Sequence, residues 1–595
     1  MDKKNTTIGV LFIVAAFASL FLSQKFFPTP PPAPAAAAVR PAAANPDGSI
    51  ATANPAAAGS TTVTGTPAFN VLARDPAQAT LTTLQNGFIT VRFTNFGGAI
   101  RDIALRKFPA ELRRPEPYVF NSVHTDPMLA FVDYPGLDRN VAFELVSQTP
   151  TEILYRAVLG QQVEVTRRYT LVAQPDKQHD PYQLRHETRF RNLTDKLVPM
   201  ARATLSLGTI APVSDSIYGQ KISTAYSDGK DQTFVGRTNL EGGSGFLGIG
   251  SSLPKTTLTN GGPIAWAAID NQFFTGILTP DQPGVGLITT RVKILATAAD
   301  DQRNAYGLTG ATQFDVKPLP AHGESTLAMS FYVGPKEYRR LSNSDAFKAD
   351  QDKVMQFGFF KYFSQILVTL MDWVHKYLPN WGIAIIITTL LLKIVFLPFT
   401  LAASRSAKRM QKIQPEMQAV REKFKDNPQK LRAATMELFK KHKVNPLGGC
   451  IPILITMPFF FGFFTMLQSA AELRFEPFLW APDLSAPDTV AHVFGLPVNI
   501  MPLLMGATMI FQMRLTPQPS VDNAQAKMIK FMPWIFILFC YSFSCALALY
   551  STINNLFTIL QQLVINRMKD DGDPAAAPTG SDGLKNVTPK KKRNS

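Results

Sequence analysis

Polar and apolar residues alternate along the first half of the chain and separate into long blocks along the second. Between residues 67 and 345 the period is two: Ile89, Val91 and Phe93 alternate with Thr90, Arg92 and Thr94, and Val163, Val165, Tyr169 and Leu171 recur similarly. Gly-, Pro- and Asn-rich turns separate these runs, which predicts a large antiparallel β-sandwich of more than a dozen strands. Its acidic and basic residues fall at the ends of the expected strands and read as a solvated surface.

Beyond residue 350 the apolar runs reach helix length. Residues 353–378 form a broad aromatic and aliphatic face with Lys353, Lys361, Asp372, His375 and Lys376 at polar positions. This predicts an amphipathic helix lying in a membrane interface, the alternative being a terminal helix packed on the β domain. Trp381–Leu401 is 21 residues with one charge, Lys393, while Ile451–Leu467 is 17 residues and Leu496–Met513 is 18. Phe531–Ile565 holds 35 nearly uncharged residues, about 52 Å as one helix against a hydrocarbon layer of about 30 Å. Lys527 and Lys530 precede this run and Arg567 and Lys569 follow it. The positive-inside rule places both ends in the cytosol, so the run folds back near Ser542–Ala546 as two spans, 531–547 and 548–566.

The N-terminal run 6–23 follows Lys3 and Lys4, and Gln24, Lys25, Phe26 and Phe27 behind it offer no small-x-small cleavage site. An uncleaved anchor over 1–27 is expected rather than a signal peptide. The total is then six spans with both termini cytosolic. Residues 28–66 are a Pro/Ala-rich linker that cannot bury enough apolar surface to fold.

Charge placement supports this topology. The net charge is +16, yet residues 28–350 hold 30 Lys/Arg against 28 Asp/Glu, whereas 351–595 hold 27 against 15. Residues 402–443 carry twelve bases against four acids, while 470–495 set Arg474 against Glu472, Glu476, Asp483 and Asp488. Within the basic loop Met410, Ile413, Met417, Val420 and Phe424 step by three and four, Asp426-Asn427-Pro428 breaks the pattern, and Leu431, Thr435, Leu438 and His442 step again. Two antiparallel helices of about 15 to 22 residues, a cytosolic hairpin over 404–443, are expected.

Composition narrows the function classes. Charged residues are 17% of the 595, below the roughly 25% of soluble domains, and Phe alone contributes 43 residues, which suggests that part of the chain is solvated by lipid. The excess of bases lies between and after apolar runs rather than as a stripe on a soluble fold, which argues against nucleic-acid binding. Cys450, Cys540 and Cys545 all lie in apolar runs, so neither a disulfide framework nor a CxxC metal site is expected. No nucleophile elbow, metal-spaced histidine set or phosphate loop stands out, so neither catalysis nor a cofactor is expected.

Several stretches carry a resemblance. Asn380-Trp381-Gly382-Ile383-Ala384-Ile385-Ile386-Ile387-Thr388-Thr389, Val444-Asn445-Pro446-Leu447-Gly448-Gly449-Cys450 with Pro452 and Met457-Pro458, Glu472-Leu473-Arg474 and Phe531-Met532-Pro533 closely resemble the bacterial YidC membrane protein insertases. Asn95-Phe96-Gly97-Gly98, Trp266 to Phe274 and Val333-Gly334-Pro335 are fainter echoes of the family's periplasmic domain. The resemblance implies a six-span inner-membrane protein with a five-helix insertase core over 381–568, a periplasmic β-sandwich and a basic tail at 569–595. It further implies a polar groove open to cytosol and lipid, with no nucleotide hydrolysis. Its implied partners are nascent membrane proteins, the ribosome and signal-recognition targeting factors, the Sec translocon (SecYEG, SecDF) and the lipid bilayer.

The same resemblance assigns the substrate groove to Lys393, Thr389, Thr456, Phe460, Phe539, Tyr550, Ser551 and Asn554. Lys393 stands where most bacterial members have Arg, Thr456 where some have Gln, Ser551 where the second of two tyrosines is usual, and Ser544-Cys545-Ala546 where the family has Pro-Ser-Gly. Read from the residues alone, Lys393 sits 12 positions into its run, about 18 Å deep, and either faces a wet cavity or snorkels to the headgroups. Asn554 and Asn555 likewise suit a groove or interhelical bonding. A solute transporter or channel is the alternative of another class, but no repeat runs across the spans.

Overall fold

The computed structural model describes residues 78–123, 126–172, 179–214, 219–242, 253–295, 305–348, 350–425, 427–442, 451–515 and 534–567, without the side chains of 403, 405–408, 411 and 451–456. The expected anchor, linker and basic tail lie outside the described residues.

The first half is built of strands. In chain order they are β1 (Leu81–Gln85), β2 (Ile89–Thr94), β3 (Ala99–Pro109), β4 (Pro117–Phe120), β5 (Glu144–Gln148), β6 (Glu152–Leu159), β7 (Val163–Leu171), β8 (Gln183–Asn192) and β9 (Ala203–Ile210). There follow β10 (Ser223–Ser227), β11 (Gln232–Gly236), β12 (Thr257–Ile264), β13 (Trp266–Asp270), β14 (Phe274–Pro280), β15 (Gly284–Lys293), β16 (Tyr306–Phe314) and β17 (Glu324–Pro335). A nine-stranded antiparallel sheet, β11-β10-β13-β14-β17-β8-β7-β6-β5, forms one layer of the sandwich. Two four-stranded sheets, β1-β2-β3-β4 and β12-β15-β16-β9, pack on it. The first is joined to it where Phe93 meets Tyr169 at 4.9 Å and the second where Thr224 bonds Thr289 at 2.6 Å.

The period-two alternation of β7 is borne out: Val163, Val165, Tyr169 and Leu171 are all buried. That register also turns Arg167 inward, because it shares their parity. Charged groups are therefore not confined to a solvated surface. Arg167 is fully buried and donates to the carbonyls of Gly97 and Leu129, with its guanidinium 5.0 Å from the Phe131 ring centroid. His186 and Asp102 are also completely buried. Burial, and then the neighbouring Arg167 charge, hold the His186 imidazole well below its ordinary pKa.

The second half is helical: α1 (Lys361–Tyr377), α2 (Trp381–Lys412), α3 (Gln414–Lys423), α4 (Pro428–Lys441), α5 (Ile451–Ser469), α6 (Ile500–Leu515), α7 over 534–540 and α8 (Cys545–Arg567). Several expected boundaries move. The amphipathic helix starts at Lys361 rather than 353, because Gln356 and Gly358 adopt positive φ and leave two short 3-10 turns before it. The apolar run from Trp381 continues as helix beyond Leu401 to Lys412 despite Pro398. The basic hairpin is shorter than expected, with arms of 10 and 14 residues, since the first arm is interrupted at Ile413 ahead of Pro415. Its arms still pair through buried Ile413, Met417 and Leu438, His442 lies 3.0 Å from Glu416, and the Asn427 side chain caps the second arm. Leu496–Asn499 is not helix but a strand, β19, paired with β18 (Thr489–Val493).

The fold-back inside the long apolar run is present at 541–544, just ahead of Ser544-Cys545-Ala546. The second helix begins at Cys545, not 548, because the Cys545 and Ala546 amides donate to the Ala486 and Leu484 carbonyls at 2.8 and 2.9 Å. Amides that a helix start leaves open are thus satisfied by the preceding loop. Among the described residues, one helix, Trp381–Ala402, is long and apolar enough by length and composition to cross a bilayer.

Candidate functional site

Helices α2 and α8 lie side by side along a seam that is polar inside an otherwise apolar pair. Lys393 projects from the middle of α2, and its ammonium donates to the Thr558 hydroxyl at 3.0 Å. Thr558 in turn donates to the Asn554 carbonyl at 2.8 Å, one helical turn earlier. The Phe557 ring centroid is 6.0 Å from the ammonium. Further along α2, Thr400 accepts from the Gln561 amide at 3.1 Å. On the other side of α8, Asn555 donates to Thr508 of α6 at 3.2 Å, so this asparagine bonds helices together.

No carboxylate among the described residues lies within 4.0 Å of Lys393. The neighbouring side chains Ile394, Val395 and Phe399 are exposed by 58%, 64% and 59%, so the opposite face of α2 is apolar and uncovered by protein. A cation beside an apolar face, held among the described residues by one neutral hydroxyl, keeps two of its three N–H donors for other groups there.

The remaining sequence-assigned positions divide. Tyr550 is buried and stacks on Phe463 at 4.3 Å, with Phe460 at 6.3 Å. Phe460 continues to Phe464, Phe464 to Phe543 and Phe543 to Phe539, a chain of rings that ends at the exposed Phe539. Phe460, Phe539 and Tyr550 thus belong to one aromatic ladder. Ser551 is buried on α8, and Asn554 stands half-buried beside the Lys393–Thr558 bond. Thr389 is buried and donates to the Ile385 carbonyl of its own helix at 2.7 Å, which commits its proton locally. The Thr456 side chain lies outside the described residues.

Thr400, Thr558 and Gln561 are site residues that the sequence reading missed. A signal was present: Ser551, Asn554, Thr558 and Gln561 recur every three or four residues in an apolar helix, the stripe that one polar helix face requires.

At the opposite end, the loop after α5 is fastened to the β domain. Arg474 donates to the carbonyls of Pro109 and Ala110, and its guanidinium lies 4.2 Å from the Phe475 centroid and 5.3 Å from that of Phe274. Gln272 donates to the Gln468 carbonyl at 2.7 Å. Burial, reinforced by nearby Glu337, raises the Glu472 carboxyl well above the usual carboxylate range. The end of α5 is therefore tied to the β domain, and the Lys393 seam lies further along α2.

Comparisons with known proteins address both halves. Residues 81–370 match the YidC periplasmic domain and residues 373–572 match the 60Kd inner membrane protein family. A membrane protein insertase YidC from Pelobacter propionicus is 30% identical over 515 residues, 83% of this chain and 88% of its own length. The one from Syntrophobacter fumaroxidans is 36% identical over 335 residues, 56% of this chain and 58% of its own length. Among solved structures, an active YidC insertase crystal structure with its first transmembrane domain resolved aligns with 84% of this chain and 95% of its own, at 16% identity and a TM-score of 0.33. A putative aldose 1-epimerase from Escherichia coli K12 aligns with 43% of this chain and 99% of its own, at 14% identity and a TM-score of 0.28. With a relative aligned over most of both lengths and each half matched by its own family description, the chain belongs to the YidC family of membrane protein insertases, inner membrane proteins with a periplasmic β-sandwich domain and a helical core.

Proposed function

We propose that the seam between α2 and α8 lines a hydrated groove, open to cytosol and lipid and closed at the periplasmic face, through which the chain inserts integral membrane proteins and helps them fold. The observation that carries this reading is Lys393, an ammonium bonded to one neutral hydroxyl on a helix whose other face exposes Ile394 and Val395. An intramembrane cation costs about 2.5 to 3.5 kcal/mol even on the lenient insertion scale, so it is retained where water and a mobile counter-charge reach it. The substrate's polar tail supplies that counter-charge on its way across. Asn554, Thr558, Thr400 and Gln561 offer the tail further polar contacts toward the cytosolic end, with Ser551 one turn before Asn554 on α8.

In this reading the core spans the membrane five times, by α2, α5, α6, α7 and α8, and the N-terminal anchor makes a sixth crossing with both termini in the cytosol. The loop charges and the fold-back at 541–544 support it. Helix α1 lies in the periplasmic interface, where Tyr362, Ile366, Trp373 and Tyr377 are exposed as such an aromatic belt requires. Translocation then needs no chemical fuel. The membrane potential moves an acidic tail outward by about 2.3 kcal/mol per charge per 100 mV, and burial of the substrate's apolar helix in lipid supplies the rest. The basic hairpin of α3 and α4 receives ribosomes or targeting factors through their polyanionic RNA, and the Sec translocon is a further partner.

The direct test is insertion of a labelled single-span protein into liposomes containing only the purified full chain. The expected result is a membrane-protected span with its tail inside the vesicle. A substrate left accessible to added protease, with the chain folded, would refute the proposal.

A further inference from the structure

The hairpin of β18 and β19 ends in a conformation its sequence disfavours. Phe494 and Gly495 form its two-residue turn with φ of 52° and 80°. Both central residues of a type I′ turn need positive φ, which favours Asn or Asp before Gly. A bulky aromatic there is a strained choice. Phe494 buries nothing in return, since it is 101% exposed, and Val490, Val493 and Leu496 beside it are exposed by 48%, 50% and 70%. The base of the hairpin, in contrast, is fixed. Asn499 donates to the Tyr541 carbonyl at 2.9 Å, Thr489 to Asn499 at 2.6 Å, and the Tyr541 hydroxyl to the Pro497 carbonyl.

Two further features identify what covers the tip. No Asp, Glu, Lys or Arg occurs between Asp488 and Arg514, so hairpin and α6 form one charge-free run. From Ile500 to Arg514 the helix rises about 21 Å, short of a hydrocarbon layer of about 30 Å, so the Ile500 end and the protein-covered base of the hairpin, where Asn499 is buried, complete the distance to the headgroups. A two-stranded ribbon leaves edge amides unpaired and is excluded from the hydrocarbon itself. Its backbone must stay among hydrated headgroups while its side chains reach down.

We infer that the β18–β19 hairpin is a lipid-contacting wedge that seats Phe494, with Val493 and Leu496, at the boundary between headgroups and acyl chains of the periplasmic leaflet. Anchored on the fold-back turn between α7 and α8, it fixes the height of the closed end of the core in the bilayer. This inference rests on the membrane orientation proposed above.

The test places the photo-crosslinking residue p-benzoylphenylalanine at position 494 of the full chain in its native membrane, with the same residue at Val395 on the exposed face of α2 and at Leu253 in the β domain as controls. The inference predicts lipid adducts, read by mass, at 494 and 395 and none at 253. A lipid adduct at 395 with only a protein adduct, or none, at 494 would overturn the wedge while leaving the orientation intact. Absence of lipid adducts at both would overturn the orientation and the wedge with it. A second arm moves the probe to Leu496 and introduces Phe494→Asn, which relieves the turn. The wedge predicts a several-fold loss of lipid adduct at 496; an unchanged yield would contradict it.

Discussion

Arg167 in β7 and Lys393 in α2 are both cations taken from water, yet their surroundings differ in kind. Arg167 is wholly buried, shares its two terminal nitrogens among fixed backbone carbonyls, and is sandwiched by Phe131 and Tyr169. Each partner is immobile, so the charge holds two sheets together and is spent on doing so. Lys393 meets one hydroxyl that is itself tied to the Asn554 carbonyl, and its helix is otherwise flanked by exposed apolar residues. On the proposed function, the contrast separates a cation used for folding from one left available to a moving substrate. The proposed activity accordingly rests on the helical half, where the available cation lies.

The largest effect expected from breaking this comparison is at Arg167. Arg167→Met leaves the Gly97 and Leu129 carbonyls buried and unpaired, and the β domain should lose about 3 to 5 kcal/mol. Hydrogen exchange of β7 and β8 in the full chain would register the loss, with insertion retained. Lys393→Met should leave the same exchange pattern unchanged. A large stability loss at Lys393, or lost insertion at Arg167 with a folded helical half, would erase the distinction.

A smaller effect is expected where α2 begins. A Cβ on Gly382 would run into the Phe478 ring in the loop after α5, so Gly382→Ala should cost about 1 to 3 kcal/mol by overpacking. Thermal unfolding of the full chain should show the cost, and adding Phe478→Ala should relieve it. A drop that survives the second substitution would locate the strain elsewhere.

The smallest expected effect is on pH dependence in the β domain. His186 is held neutral by burial and Arg167, so its folded pKa lies below its unfolded value of about 6.5. As pH falls below that value the unfolded chain takes a proton that the folded one refuses, and stability drops by at most about 1.4 kcal/mol per pH unit. Asp126 acts oppositely, because burial, partly offset by Arg139, pushes its carboxyl up to about 6. Its proton stabilises the folded state from about pH 6 downward, so the net loss should be steepest between about pH 6.5 and 6. An unfolding free energy from exchange of β8, corrected for the pH dependence of the intrinsic amide rate, that rises on acidification through that window would refute the assignment.

The strands and the fold-back were legible because both rest on local signals: alternation in β7, and 35 uncharged residues too long for one crossing. The alternation even carried the inward orientation of Arg167, which shares parity with Val165 and Tyr169, although composition alone read it as surface. Leu496–Asn499 was misassigned because a short apolar run suits either strand or helix, and only its pairing with Thr489–Val493 decides. The break at Ile413 falls just ahead of Pro415, a local signal that the stepping by three and four overrode. At the site, Lys393 was legible as a lone charge, and the polar stripe of α8 was written in its sequence. That Thr558 is the group meeting Lys393, and that Arg474 reaches back to Pro109, depends on contacts more than 160 residues apart in sequence, which no local pattern encodes.

The availability of Lys393 is tested most directly by a matched pair of single-span substrates differing only in the charge of the translocated tail, one acidic and one neutral. Both would be inserted by the parent chain and by Lys393→Glu at equal protein levels, with Lys393→Arg as the charge-preserving control. If the ammonium serves as counter-charge in a wet groove, Lys393→Glu selectively slows the acidic tail, spares the neutral one, and Lys393→Arg behaves like the parent. Equal losses for both tails would contradict the account and return Lys393 to a purely structural role like that of Arg167.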